Sequence, residues 1–129
     1  MSKNKILLVD DDTDFVESNK DLLEAQGYEV ITANDGESGL AMALREQPDL
    51  MLLDVMMAHD TEGFEISRKI PDKPELSGMK VILVTGIREA KELSYSFEPD
   101  ETWLPVANVL EKPVPPEKLL EEIKRELNA

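Results

Sequence analysis

Three short apolar runs constrain this chain more than any other feature of its sequence. They are Ile6-Leu7-Leu8-Val9, Leu50-Met51-Leu52-Leu53 and Val81-Ile82-Leu83-Val84. A strand with one wet face alternates apolar and polar residues. Runs without alternation imply strands covered on both faces, as in a parallel sheet between helical layers. A weaker run, Val106-Ala107-Asn108-Val109-Leu110, reads as a further strand. The mixed segment Tyr28-Glu29-Val30-Ile31-Thr32-Ala33 suits a sheet edge.

Helical spacing fills the intervals. Phe15, Val16, Asn19, Leu22, Leu23 and Gln26 follow the cap candidates Asp12 and Thr13, and Gly27 is placed to stop that helix. Leu40, Ala43 and Leu44 mark a second helix that Pro48 ends. Phe64, Ile66 and Ile70 suggest a short third, closed by Pro71, and Ala90, Leu93 and Phe97 a weak fourth. Leu119, Leu120, Ile123 and Leu127 form an amphipathic last helix, with Pro115 and Pro116 at its start. Residues 71–78 and 98–105 read as loops.

Repeated βα units imply right-handed crossovers and a doubly wound sheet. The expected fold is therefore α/β and flavodoxin-like. It has a five-stranded parallel sheet in the order 2-1-3-4-5 and helices on both faces. The 129 residues suit a single domain over positions 1–129, with no effector domain in this chain.

Composition narrows the function. The absence of cysteine excludes disulfides and thiolate metal sites. A formal net charge of −14, from 28 acidic and 14 basic residues, repels phosphate backbones, so direct nucleic-acid binding is not expected. The apolar run near the N-terminus is too short to span a bilayer or to form a signal-peptide core. No membrane insertion is expected, and a cytoplasmic location is the default.

Sites in open α/β sheets form beyond the carboxyl ends of the strands, where the strand order reverses. Here that point lies between the first and third strands. It gathers Asp10, Asp11 and Asp12 from one strand end and Asp54 from the other. The fourth strand ends in Thr85, the fifth in Glu111-Lys112-Pro113. Clustered carboxylates repel one another and favour a hard divalent cation such as Mg²⁺, which often shares its site with a phosphate. If Asp54 attacks phosphorus, Thr85 and Lys112 can hold the remaining phosphoryl oxygens.

With these motifs in order, each at a strand end, the chain resembles the receiver domains of two-component response regulators over about residues 5–127. The resemblance implies that Asp54 is the phosphoacceptor and that Asp10, Asp11 and Asp54 bind Mg²⁺ together with the backbone carbonyl of Met56. It implies that Thr85 is the switch hydroxyl and Lys112 the phosphate-binding cation. It further implies a sensor histidine kinase or histidine phosphotransfer protein as donor and a downstream protein as target. The chain would then be no enzyme beyond catalysing its own phosphorylation and dephosphorylation.

Several residues have simpler readings. Asp12 and Thr13 are expected to cap a helix and nothing more. His59, the lone histidine, reads as an exposed loop residue, because one imidazole makes a poor transition-metal site. The sequence also departs from the family pattern. Ala58 stands where proline is usual, Val109 where an aromatic ring is usual, and the stretch between Thr85 and Lys112 is longer. Met56 and Ile87 flank the expected approach of water to the phosphoryl group. Both are apolar, which predicts slow self-dephosphorylation.

Two further functions compete. A haloacid-dehalogenase-like phosphatase also uses a strand-end aspartate, but here Asp14 replaces the Thr or Val of its opening motif and its late acidic motif is missing. A pseudo-receiver that binds a partner without phosphorylation fits the altered loops but leaves the acidic site unexplained. A flavin-binding module would require a phosphate-cradling loop where Asp10, Asp11 and Asp12 stand.

Overall fold

A computed structural model describes residues 4–54, 66, 69–86, 108–112 and 114–127. Of residues 71, 85, 86, 108, 109, 111 and 112 it describes the backbone. The strands are β1 (Lys5–Val9), β2 (Glu29–Ala33), β3 (Leu50–Asp54), β4 (Lys80–Gly86) and β5 (Asn108–Lys112). The helices are α1 (Thr13–Ala25), α2 (Gly36–Glu46) and α3 (Pro116–Leu127). All strand pairings are parallel, and the sheet runs β2-β1-β3-β4-β5. The α/β reading and the order 2-1-3-4 are thus borne out.

The runs without alternation have the expected cause. Leu7, Val9, Met51, Leu53, Val81 and Leu83 point to one side of the sheet and pack with Ala43 of α2. Ile6, Leu8, Leu50, Leu52, Ile82 and Val84 point to the other. There they meet Leu23 of α1 and Leu119 and Ile123 of α3. Successive residues of a strand face opposite sides, so two apolar layers require an unbroken run. Fully burying each Leu or Ile is worth ~1.5–3 kcal/mol.

Local chemistry sets the helix ends. Asp12 is the N-cap of α1, its carboxylate accepting from the Phe15 N–H at 3.2 Å. The helix closes with two bonds, Gly27 N–H to the Glu24 carbonyl at 3.0 Å and Tyr28 N–H to the Leu23 carbonyl at 3.2 Å. That pairing is a Schellman motif, and Gly27 takes the φ of +93° that it demands. Helix α2 starts earlier than its apolar residues indicate. Its N-cap is Asp35, whose carboxylate accepts from the Ser38 N–H at 2.8 Å. Pro116 opens α3, as expected of a residue without an N–H.

Residues 71–78 are not a plain loop. They include 3₁₀ turns at Ile70–Asp72 and Pro74–Leu76, and Leu76 is buried against the α2 side of the sheet. Short 3₁₀ turns tolerate the prolines that argue against an α-helix. The last strand includes Glu111 and Lys112, two residues beyond the apolar run that announced it. The helices expected around Phe64 and from Ala90 to Phe97 lie outside the described residues, apart from the buried Ile66 and Ile70, and Ile70 opens a 3₁₀ turn. Trp103 and Val106 also lie outside them. Among the described residues, no helix is long and apolar enough to cross a membrane.

Candidate functional site

Parallel register brings the acidic residues together. Val9 pairs with Leu53, so the next residues, Asp10 and Asp54, stand side by side at the carboxyl ends of β1 and β3. Both are largely withdrawn from water, at 3% and 6% exposure. Carboxylate oxygens of Asp10, Asp11 and Asp54 lie within 4.8 Å of one another, and Asp11 is exposed. The backbone holds this arrangement firmly. The Asp10 N–H donates to the Ala33 carbonyl of β2 at 3.2 Å, and one Asp10 carboxylate oxygen accepts from the Asp12 N–H at 2.9 Å.

Asp12 is spoken for. Its carboxylate caps α1 and its carbonyl accepts the Val16 N–H at 3.0 Å. The reading of Asp12 as a cap, separate from the candidate metal ligands Asp10 and Asp11, agrees with this geometry.

The donor set fits a hard cation. Three carboxylates in close quarters repel one another, and two of them have little water for relief. Oxygens within 4.8 Å of one another are close enough for a single hard cation to be shared among them. Carboxylate oxygens are the ligands that Mg²⁺, Ca²⁺ and Mn²⁺ prefer.

Strand register also carries the other candidates to this end of the sheet. Asp54 pairs with Val84, one residue before Thr85. Thr85 pairs with Glu111, and Gly86 with Lys112. The backbones of Thr85 and Lys112 thus occupy the carboxyl ends of the two strands that follow β3. Their side chains lie outside the described residues, as do Met56, His59 and Ile87 in full.

The sequence did not single out the cleft beside Asp10. About 530 Å³ in volume, it opens between α1, the end of β2 and the start of α2. Thr13, Lys20, Asn34 and Ser38 are among its polar lining. Thr13 and Lys20 are seven residues apart on α1, a spacing that sets them on one helix face. The carboxyl of Asp35, the α2 cap, is held below the usual carboxylate range, chiefly by the N–H of the lining residue Ser38 and then by the Ser38 hydroxyl.

Comparison with known proteins agrees with this architecture. Residues 6–124 match the model of the response regulator receiver domain family. PilH of Pseudomonas aeruginosa is 33% identical over 122 residues, covering 92% of this chain and 93% of PilH. The response regulator PleD of Caulobacter vibrioides is 46% identical over 87 residues, which are 64% of this chain but only 18% of PleD. Among solved structures, a CheY-like receiver domain protein from Methanospirillum hungatei superposes with a TM-score of 0.78. It is 36% identical, with 98% of this chain and 95% of that one covered. A match this long, on a sheet that sets Asp54 beside the paired aspartates of β1, makes the chain a member of the response regulator receiver domains of two-component systems.

Proposed function

We propose that this chain accepts a phosphoryl group on Asp54 and uses the modified state to alter a surface read by a partner. The observation that carries the proposal is the convergence of Asp10, Asp11 and Asp54 at the β1–β3 strand ends. An Asp54 carboxylate oxygen attacks phosphorus, the new P–O bond forms, and the bond from phosphorus to the donor breaks. The bonding pair leaves with the donor, and a histidine donor takes one proton from solvent to end as neutral imidazole. A bound Mg²⁺ supplies positive charge that offsets the crowded oxygens of acceptor and phosphoryl group. Asp10, Asp11 and Asp54 hold it, joined by the Met56 carbonyl. Thr85 and Lys112 take the other phosphoryl oxygens. Their place at the ends of β4 and β5 supports these roles.

In this reading the complete fold is the five-stranded doubly wound sheet with helices on both faces. The chain acts on itself alone and turns over no separate substrate. The donor is a phosphohistidine of a sensor kinase or phosphotransfer protein, the target is a protein, and the setting is the cytoplasm. With Met56 and Ile87 both apolar, the phosphorylated state is long-lived. The test is incubation with Mg²⁺ and acetyl phosphate, followed by intact-protein mass measurement. One acid-labile phosphoryl group is expected, and its Mg²⁺-independent addition would contradict the proposal.

A further inference from the structure

Asp12 ties the first helix to the acidic cluster through three hydrogen bonds. Its carboxylate accepts the Phe15 N–H at 3.2 Å and its carbonyl the Val16 N–H at 3.0 Å, and both bonds belong to α1. Its own N–H runs the other way and donates to a carboxylate oxygen of Asp10 at 2.9 Å. The backbone at Asp12, with φ −83° and ψ 99°, has the extended conformation of an N-cap. In that conformation one residue offers its acceptors to the helix and its donor to the strand end.

The Asp10 carboxylate needs such a donor. Its main chain is fixed by β2, through the N–H bond to the Ala33 carbonyl at 3.2 Å. The main chain does not fix the carboxylate, because the last torsion of an aspartate has a broad profile. A bond from a placed N–H to one oxygen selects a rotation and so aims the other oxygen. Asp10 is 3% exposed, so little water competes for that bond, and the charge on the acceptor strengthens it. The place of the donor is inherited from α1. Leu23 anchors that helix in the core, and Phe15 and Val16 of its first turn pack against the same core.

We infer that Asp12 is a positioning residue for the metal site. By capping α1 it holds its own N–H against Asp10, and that N–H sets the orientation in which the Asp10 carboxylate meets a divalent cation. Asp12 acts through geometry and not through charge. Its carboxylate is committed to the helix, it is exposed, and it lies outside the cluster of Asp10, Asp11 and Asp54. A hydrogen-bonding partner behind a ligating carboxylate supports affinity because it orients the ligand before the metal binds. The inference rests on Asp10 being a metal ligand.

The test measures Mg²⁺ affinity by calorimetry on the full chain and its variants. Asp12→Ala removes the cap and should weaken Mg²⁺ binding about tenfold, the low end for loss of an outer-shell partner. Asp12→Asn removes the charge but caps a helix as well as aspartate does, so it should keep most of the wild-type affinity. Gly27→Ala loosens the far end of α1, where φ is +93°, and should leave affinity unchanged. In metal-free protein, the amide hydrogen at position 12 should exchange slowly in the wild type and in Asp12→Asn, and fast in Asp12→Ala. Position 12 is exposed, and circular dichroism verifies that each variant is folded. An equal loss of affinity in Asp12→Asn and Asp12→Ala would assign the effect to charge, and an equal loss in Gly27→Ala would assign it to helix stability. Either overturns the inference, as does wild-type affinity or slow exchange in Asp12→Ala. Asp10→Asn separates this inference from the reading beneath it. If that variant binds Mg²⁺ as tightly as the wild type, Asp10 is no ligand and both fall. If it binds poorly while Asp12→Ala binds normally, the positioning role alone falls.

Discussion

Asp10 and Asp54 stand at the ends of adjacent parallel strands, one register step past the Val9–Leu53 pair, with carboxylate oxygens inside a 4.8 Å cluster that also includes Asp11. Like charges so close, at 3% and 6% exposure for the strand-end pair, repel one another, and a divalent cation among them would relieve that repulsion. That conflict yields a prediction with two signs.

Without divalent cation, Asp11→Asn relieves repulsion and should raise the thermal midpoint of unfolding. With Mg²⁺ the order should reverse. The wild-type chain gains about 2.7 kcal/mol at a hundredfold excess over the dissociation constant, and the variant gains little. Thermal unfolding of both proteins with and without Mg²⁺ measures this. Equal gains would remove Asp11 from the ligand set.

Among the described residues, two adopt left-handed backbone, and they should respond in opposite ways. Gly27 has φ +93° and Gln47 has φ 48°, each at the end of a helix. Gly27→Ala puts a Cβ where φ disfavours it, although nothing lies within 4 Å of that Cβ, and should cost about 1 kcal/mol. Gln47→Gly relieves the same strain and should stabilise by about 0.5–1 kcal/mol, or about 2–5 °C. Denaturant titrations of both variants provide the comparison.

Gly39 is a matter of space. A Cβ there would meet both methyl groups of Val9 at 2.8 Å. Val9 is 1% exposed and β-branched, so it has little freedom to move aside. Overpacking of ~1–3 kcal/mol outweighs the ~1 kcal/mol that alanine gains in helix propensity. Gly39→Ala should therefore destabilise. In a double-mutant cycle with Val9→Ala, the two changes should couple by about 1–2 kcal/mol. Additive effects would show that the clash does not govern this position.

At the opposite end of the sheet, the Lys5 ammonium donates to Glu46 at 3.2 Å. The lysine hydrogen bond, then that from Arg45, lowers the Glu46 pKa below its ordinary value, and Glu46 in turn raises that of Lys5. A depressed carboxylate stabilises the fold above its unfolded pKa and loses that contribution as pH falls through the folded one. The stability difference between the wild type and Glu46→Gln should thus be positive at neutral pH and vanish in acid. On the alkaline side it should persist below the unfolded lysine value and vanish as pH rises through the raised one. Chemical denaturation across pH measures it. A pH-independent difference would show that charge is not its source.

Much of this was legible before any coordinates. Period-two geometry turns an apolar tetrad such as Leu50-Met51-Leu52-Leu53 into a strand between two cores, and the strand order then forces Asp10 toward Asp54. The start of α2 was less legible, because Gly36 and Gly39 have low helix propensity. Asp35 offsets the first by capping, and contact with Val9 requires the second. The buried Leu76 was hidden among prolines whose 3₁₀ turns have no long period to detect.

The central claim is that Asp54 receives the phosphoryl group. Borohydride reduces an aspartyl phosphate to homoserine, which marks the modified residue permanently. After treatment with acetyl phosphate and Mg²⁺, reduction and peptide mass mapping should find homoserine at position 54, absent without Mg²⁺ and absent in Asp54→Asn. Homoserine at Asp10 or Asp11 in the wild type, or equal labelling of Asp54→Asn, would contradict it.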